Sequence, residues 1–412
     1  MKQKLTTENK VRVALIALCL FLYTQTMTSA LVAYIMNSYA DLPATTVKQI
    51  LTLPGLIGLF VSFIIGPISM KVNKKYLLFA AGLCSVLYFM IFYFVGGNGP
   101  FYMLIVAAVL MGWNQGTSRT LTSSIIAEFI EPTKQASFVA LTTALLNGGS
   151  VIFNLLGGSI AAGNGGADWP KAYLLGLLLI PTLAIYMWLM PKSSNAAEQG
   201  KGADGKAQAG ESNEKIPVKV ILATLLNTLV ALSVCAFMYN YSAYVITTYG
   251  LGTSVETGIC NSIYLITGLL GLIYPLFMKA FKRYIAPIGY ALFGVGMLLM
   301  VLVHNSIYVV YFSILLIGVG FNIGNPFVSA YVMRVTPKKW VPVAMSILLG
   351  GVNLGMYFST YILNAVGSLF GGGVLSFFIV GCIGAFLSAV LAFFLYSMDP
   401  ETQIVVGEKS AA

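Results

Sequence analysis

Stretches of twenty or more mostly apolar residues recur along this 412-residue chain, and nothing constrains its fold more. They run near 13–37, 47–70, 76–96, 100–127, 134–162, 169–190, 217–245, 255–278, 285–303, 307–333, 340–367 and 372–397. About 20 apolar residues suffice for a helix to cross the hydrocarbon core of a bilayer. The runs are continuous rather than alternating, which predicts helices and excludes a transmembrane barrel. Only 9% of residues are charged, whereas a water-soluble domain carries about 25%. The expected fold class is an all-α polytopic membrane protein with twelve spanning helices. The first stretch is too long for a signal-peptide core and no small-residue cleavage site follows it, so it reads as a retained helix.

Basic residues set the expected orientation. With the N-terminus inside, 20 of the 23 Lys and Arg residues fall on cytoplasmic segments, Lys48 and Lys171 fall outside, and Arg119 lies within a span. Both termini are then cytoplasmic, in the inner (plasma) membrane. The net charge of +10 has the same origin and carries no implication of nucleic-acid binding. Residues 191–216 are rich in Gly, Ala, Ser, Lys and Glu and lack an apolar core, so they read as a flexible linker dividing the spans six and six. The expected domains are a bundle at 1–190, the linker at 191–216, a second bundle at 217–397 and a tail at 398–412. The five cysteines lie in apolar stretches and read as small buried hydrophobes, while a single histidine, His304, leaves little scope for imidazole chemistry.

The halves repeat at an offset of 208 residues. GPISMKVNKKY (66–76) aligns with YPLFMKAFKRY (274–284), GWNQG (112–116) with GFNIG (320–324), and EPTKQ (131–135) with TPKKW (336–340). In its spans, linker and repeated basic loops the chain resembles the major facilitator superfamily along essentially its whole length. That family's loop motif, roughly G-x-x-x-D-[RK]-x-G-[RK]-[RK], is matched by Gly66, Lys71, Lys74 and Lys75, with Met70 in place of the acid and Asn73 in place of the second glycine. Glu128 and Pro132 match the stretch between spans 4 and 5, where Gln135 replaces an arginine. The span 4 motif of drug antiporters lacks its arginine here. Their span 5 glycine motif is kept in Gly149, Gly157 and Gly158 but not in its Gly-Pro pair.

The resemblance implies two pseudo-symmetric six-helix bundles and a substrate cavity lined by spans 1, 4, 7 and 10. Polar residues in those spans are the candidate binding residues: Gln25 and Ser29, with Thr26, in span 1; Asn114, Gln115 and Arg119 in span 4; Phe237, Asn240, Tyr241 and Tyr244 in span 7; Asn322 and Asn325 in span 10. Asn353 and Tyr357 join them from a polar-aromatic stripe in span 11. An arginine within the membrane is costly and faces a partner or an aqueous cavity, so Arg119 reads either as an anchor for an anionic group or as a structural arginine. The asparagines read either as substrate contacts or as interhelical hydrogen bonders. Gly148, Gly149, Gly157, Gly158, Gly350, Gly351 and Gly355 read as close-packing points. For the cytoplasmic gate, the resemblance implies that Lys71, Lys74 and Lys75 approach the basic start of span 11. It likewise brings Lys279, Lys282 and Arg283 towards Glu128 and Glu131.

No phosphate loop, metal-spaced His/Cys cluster or buried carboxylate pair is visible, so no enzyme, cofactor or metal is expected. All 13 acids lie at span ends, loops or the linker, which leaves no obvious proton-relay carboxylate and the coupling ion open. The expected function is secondary or facilitative transport of a small organic solute, anionic or amphipathic, by a monomer in the bilayer using rocker-switch alternating access. A multidrug-type efflux antiporter is the alternative. A non-transporting receptor or scaffold is a remoter one, which the short loops disfavour.

Overall fold

Helix boundaries follow local chemistry. Pro43, Pro100 and Pro217 stand immediately before helices, where a missing N–H breaks no helical bond. Asn73 caps the third long helix by accepting a hydrogen bond from the Lys75 N–H at 3.1 Å. Thr253 and Glu256 form a reciprocal capping box. Where the final helix begins, three glycines at 371–373 all take positive φ, the left-handed region open to a residue without a Cβ.

The computed structural model describes residues 7–22, 24–130, 132–192, 217–281, 284–336 and 341–397, and among these there is no β-strand. The chain forms two compact units, Met1–Ser212 and Asn213–Ala412. The first contains α1 (Thr7–Cys19), α2 (Met27–Ser38), α3 (Ala44–Lys71), α4 (Lys74–Val95), α5 (Phe101–Phe129), α6 (Pro132–Ala161) and α7 (Leu179–Leu189). The second contains α8 (Val218–Met238), α9 (Ser254–Thr267), α10 (Tyr274–Phe281), α11 (Ile285–Leu302), α12 (Ile307–Val335), α13 (Val341–Gly367) and α14 (Gly373–Ser397). Most of the proposed linker, residues 193–216, and the tail at 398–412 lie outside the described residues.

Each of the twelve stretches read from sequence is occupied by helix. Among the described residues, eight segments are long and apolar enough to cross a membrane. The other four stretches are helical too. The first and eighth are interrupted by 3-10 turns, while α5 and α13 carry several of the candidate binding residues. Aromatic and aliphatic side chains cover the outer surface: Trp188 is 84% exposed and Phe94 76%. Such a surface suits lipid and would be an aggregation hazard in water.

Four stretches depart from single α-helical rods. Span 1 breaks after Cys19 and resumes through a 3-10 turn at Thr24–Thr26. Span 6 begins as a 3-10 run, Trp169–Leu178, before α7. Span 7 breaks at Tyr239–Asn240 and ends in a π-turn, Tyr244–Thr248. Span 8 passes through a 3-10 segment, Gly268–Ile273.

Small residues allow close helix contacts. A Cβ on Gly112 would stand 2.5 Å from Ile57 Cβ, and one on Gly116 2.5 Å from the Gly58 carbonyl oxygen, so α5 lies directly on α3. Their repeat partners, Gly320 and Gly324, instead pack α12 against Gly289 and Tyr290 of α11. The repeat therefore preserves small residues at matching positions but not the helix each one meets.

Candidate functional site

The first unit is organised around the break in span 1. Interrupting the helix leaves backbone carbonyls without helical donors, and each needs another partner in a water-poor interior. Asn114 of α5 supplies one, its Nδ2 donating to the Leu22 carbonyl at 3.2 Å. Ser118, one turn on, donates to Asn114 Oδ1 at 2.8 Å, so both ends of this fully buried amide are engaged. On the opposite side, Asn154 of α6 donates to Thr26 Oγ1 at 3.1 Å, and Ser29 donates to the Thr26 carbonyl at 2.7 Å. Gly149 and Gly157 let α6 reach this segment: a Cβ on Gly149 would lie 1.4 Å from the Leu20 carbonyl oxygen, and one on Gly157 2.1 Å from Met27 Sδ. Beyond the break, Tyr173 donates to Thr28 Oγ1 at 2.9 Å and the Tyr88 hydroxyl also hydrogen-bonds Thr28. The rings of Phe92 and Tyr173 stack at 4.6 Å beside them.

Of the span 4 candidates, Asn114 is thus committed to the backbone of span 1. Gln115 is half-buried beside Gly58 of α3. Arg119 is exposed, although it sits in the body of α5, ten residues before the helix ends at Phe129. Gly112, Gln115 and Arg119 share a helical face, yet its Gly112 end is closed by α3 and only its Arg119 end is open.

In the second unit, Phe237, Asn240 and Tyr241 come together at the break in span 7. Asn240 is 2% exposed and donates to the Ala236 carbonyl at 2.9 Å. The Phe237 and Tyr241 rings stack at 5.1 Å, and Phe237 meets Tyr264 of α9 at 5.7 Å. Tyr264 in turn lies 6.3 Å from Phe321 of α12. Tyr264 and Phe321 were not among the sequence candidates, because ring clustering across three helices has no one-dimensional signature. Tyr244 points elsewhere and donates to the Met300 carbonyl at the end of α11, 2.7 Å away. Asn322 donates to Thr267 Oγ1 at 3.0 Å, where span 8 leaves α-geometry, and to the Gly318 carbonyl at 2.9 Å. Pro326, which lacks an N–H, leaves the Asn322 carbonyl without its helical donor. Asn325, Asn353 and Tyr357 are half-buried, and Tyr357 lies 6.3 Å from Tyr361. Gly351 and Gly355 face Thr224 and Thr228, setting α13 against α8.

Two charged groups have surroundings that the sequence did not specify. Lys48, counted on the outer side at the start of span 2, sits in the second turn of α3 and is 3% exposed, the only formal charge among the buried described residues. Glu128, assigned to a contact with the second half, accepts a hydrogen bond from Lys74 Nζ at 2.8 Å within its own unit. Lys71 is exposed and Lys75 half-exposed. The side chains of Gln25 and Lys279, and residues Glu131, Lys282 and Arg283, lie outside the described residues. Among the described residues no group of three His, Cys, Asp or Glu side chains could hold a metal ion.

The sequence profile of the Major Facilitator Superfamily matches residues 13–283 and 262–411. A search of curated proteins finds no match. Solved structures with the same fold include a D-xylose-proton symporter, 17% identical, covering 96% of this chain and 98% of the symporter, with a TM-score of 0.75. The POT family transporter PepTSo is 12% identical over 96% of this chain and 98% of its own, with a TM-score of 0.74. The nucleoside transporter NupG is 13% identical over 95% of this chain and 100% of its own, with a TM-score of 0.68.

Proposed function

The chain belongs to the major facilitator superfamily, and from that membership we propose that it transports a small organic solute with an apolar body and an anionic group. Transport proceeds by rocking of residues 1–190 against residues 217–397 about a midplane site. It is a monomer in the inner membrane with both termini cytoplasmic. The observation that carries the anionic reading is Arg119, a permanent charge in the body of a long membrane helix that remains exposed. A guanidinium there is tolerable where it meets water or an anion rather than lipid, and its planar fork suits a carboxylate. Similar folds are named for D-xylose, peptide and nucleoside transport.

The efflux-antiporter alternative rests on the span 5 glycines, of which Gly149 and Gly157 pack closely against Leu20 and Met27 of span 1. Coupling, on the present reading, does not run through a carboxylate inside the spans.

Ligand-induced thermal shifts with a panel of mono- and dicarboxylic acids, set against lipophilic cations, test the substrate class. A carboxylate should stabilise the protein, and Arg119→Lys should weaken that carboxylate by about tenfold, because lysine loses the bidentate fork. Unaltered affinity in a well-folded Arg119→Ala variant would reduce the arginine to a structural role.

A further inference from the structure

Four rings tie the far end of span 7 to its neighbours within the second unit. After the break at Tyr239–Asn240, span 7 closes in a π-turn, Tyr244–Thr248, in which the Tyr249 N–H reaches back five residues to the Tyr244 carbonyl at 3.1 Å. Such turns are rare and frequently sit at functional sites. Tyr244 is fully buried and fixes the turn from inside: its ring meets Phe378 of α14 at 5.1 Å and its hydroxyl donates to the Met300 carbonyl of α11 at 2.7 Å. Tyr249 meets Tyr244 at 4.7 Å and stacks on His304, in the loop between α11 and α12, at 4.7 Å and 29°. His304 is the chain's one histidine, and it is exposed.

Histidine is the side chain whose charge ordinarily changes between about pH 5 and pH 8. A cation within about 6 Å of an aromatic centroid is attracted to the ring face, so an imidazolium on Tyr249 is held where a neutral imidazole is held less. The titratable groups of the surrounding elements are Tyr244 and Tyr249 of span 7, Glu256 in the first turn of α9, and Tyr308 and Tyr311 of α12. Neither the end of α11 nor the start of α14 carries one. Glu256, the one acid among them, is held by the Thr253 hydroxyl at 2.7 Å. We propose that His304 and Tyr249 form a proton-sensitive latch on span 7. In mildly acidic water His304 gains a proton, its ring is held on Tyr249, and the π-turn stays fastened to α11 and α14. In alkaline water that hold weakens and the end of span 7 is freer to move.

Two measurements test the latch, and neither involves the solute, so the transport reading can fail without deciding this one. The first uses the full chain without a histidine tag, so that a single imidazole Cε1–H resonance is present. The ring current of Tyr249 should shift it upfield, and Tyr249→Leu should remove that shift; an unmoved resonance overturns the contact. The second places a spin label at the exposed Thr248 (Thr248→Cys, with Cys84→Ser, the other cysteines being buried). Between about pH 8 and pH 5 the immobile component should gain about threefold over the mobile one. His304→Gln, a change in an exposed loop, should abolish the gain, as should Tyr249→Leu. Absence of the gain with His304 and Tyr249 in place, or its persistence in either variant, overturns the proposal.

Discussion

Asn114 and Asn322 occupy matching positions in the two halves, and each spends its amide where a neighbouring span leaves α-geometry. The sequence offers two readings for an asparagine within a membrane, and the bonds Asn114 makes to Leu22 and Ser118 support the interhelical one. Asn114→Ala removes the donor to the Leu22 carbonyl and strands the Ser118 hydroxyl, both without access to water. The expected cost is about 1–3 kcal/mol, seen as a lower midpoint of thermal unfolding with solute affinity unchanged in the folded fraction. A normal midpoint with weakened solute binding would return Asn114 to the substrate. Lys48 shows what the sequence does not give, the depth at which a span-end charge is buried. A hydropathy profile locates a span end only to within a few residues, and α3 starts at Ala44, four residues before Lys48, which is buried there.

Among the elements, the existence of each helix was legible because length and apolar content determine it. The interruptions were not. The break in span 1 follows Cys19, and the sequence of residues 20–24 contains neither proline nor glycine and nothing that marks a boundary. It is held from outside, by Asn114 on one side and by Gly149 and Asn154 on the other. That arrangement gives a paired prediction. Gly149→Ala places a methyl group 1.4 Å from the Leu20 carbonyl oxygen, and forcing α6 away should cost about 1–3 kcal/mol or more. Gly148→Ala meets nothing within 4 Å and should be neutral or stabilise by up to about 1 kcal/mol, as alanine does in a helix. Comparing thermal midpoints of the two variants checks this. Similar midpoints would mean that α6 does not rely on the Gly149 contact.

For the whole molecule, the repeat, the charge asymmetry and the basic loops identify the family from sequence, whereas the Lys74–Glu128 pair was not anticipated. Glu128 is bonded to Lys74 of its own unit, so the loop after span 2 is tied to the end of span 4. Each unit buries its own apolar side chains; in the first, Val11, Leu15, Leu121, Ile125 and Tyr186 share one cluster. A protease site introduced within residues 191–216 and cleaved after folding should therefore leave solute uptake by proteoliposomes undiminished. Loss of uptake with both units still folded would show that the segment does more than tether them. The interruption of span 1 also has a mechanical consequence. A continuous helix such as α3 resists bending because curvature must stretch its backbone hydrogen bonds, and it moves as one stiff rod. Where span 1 has already surrendered that regular ladder between α1 and α2, the two pieces form levers on a shared pivot, and tilting one need not carry torque into the other.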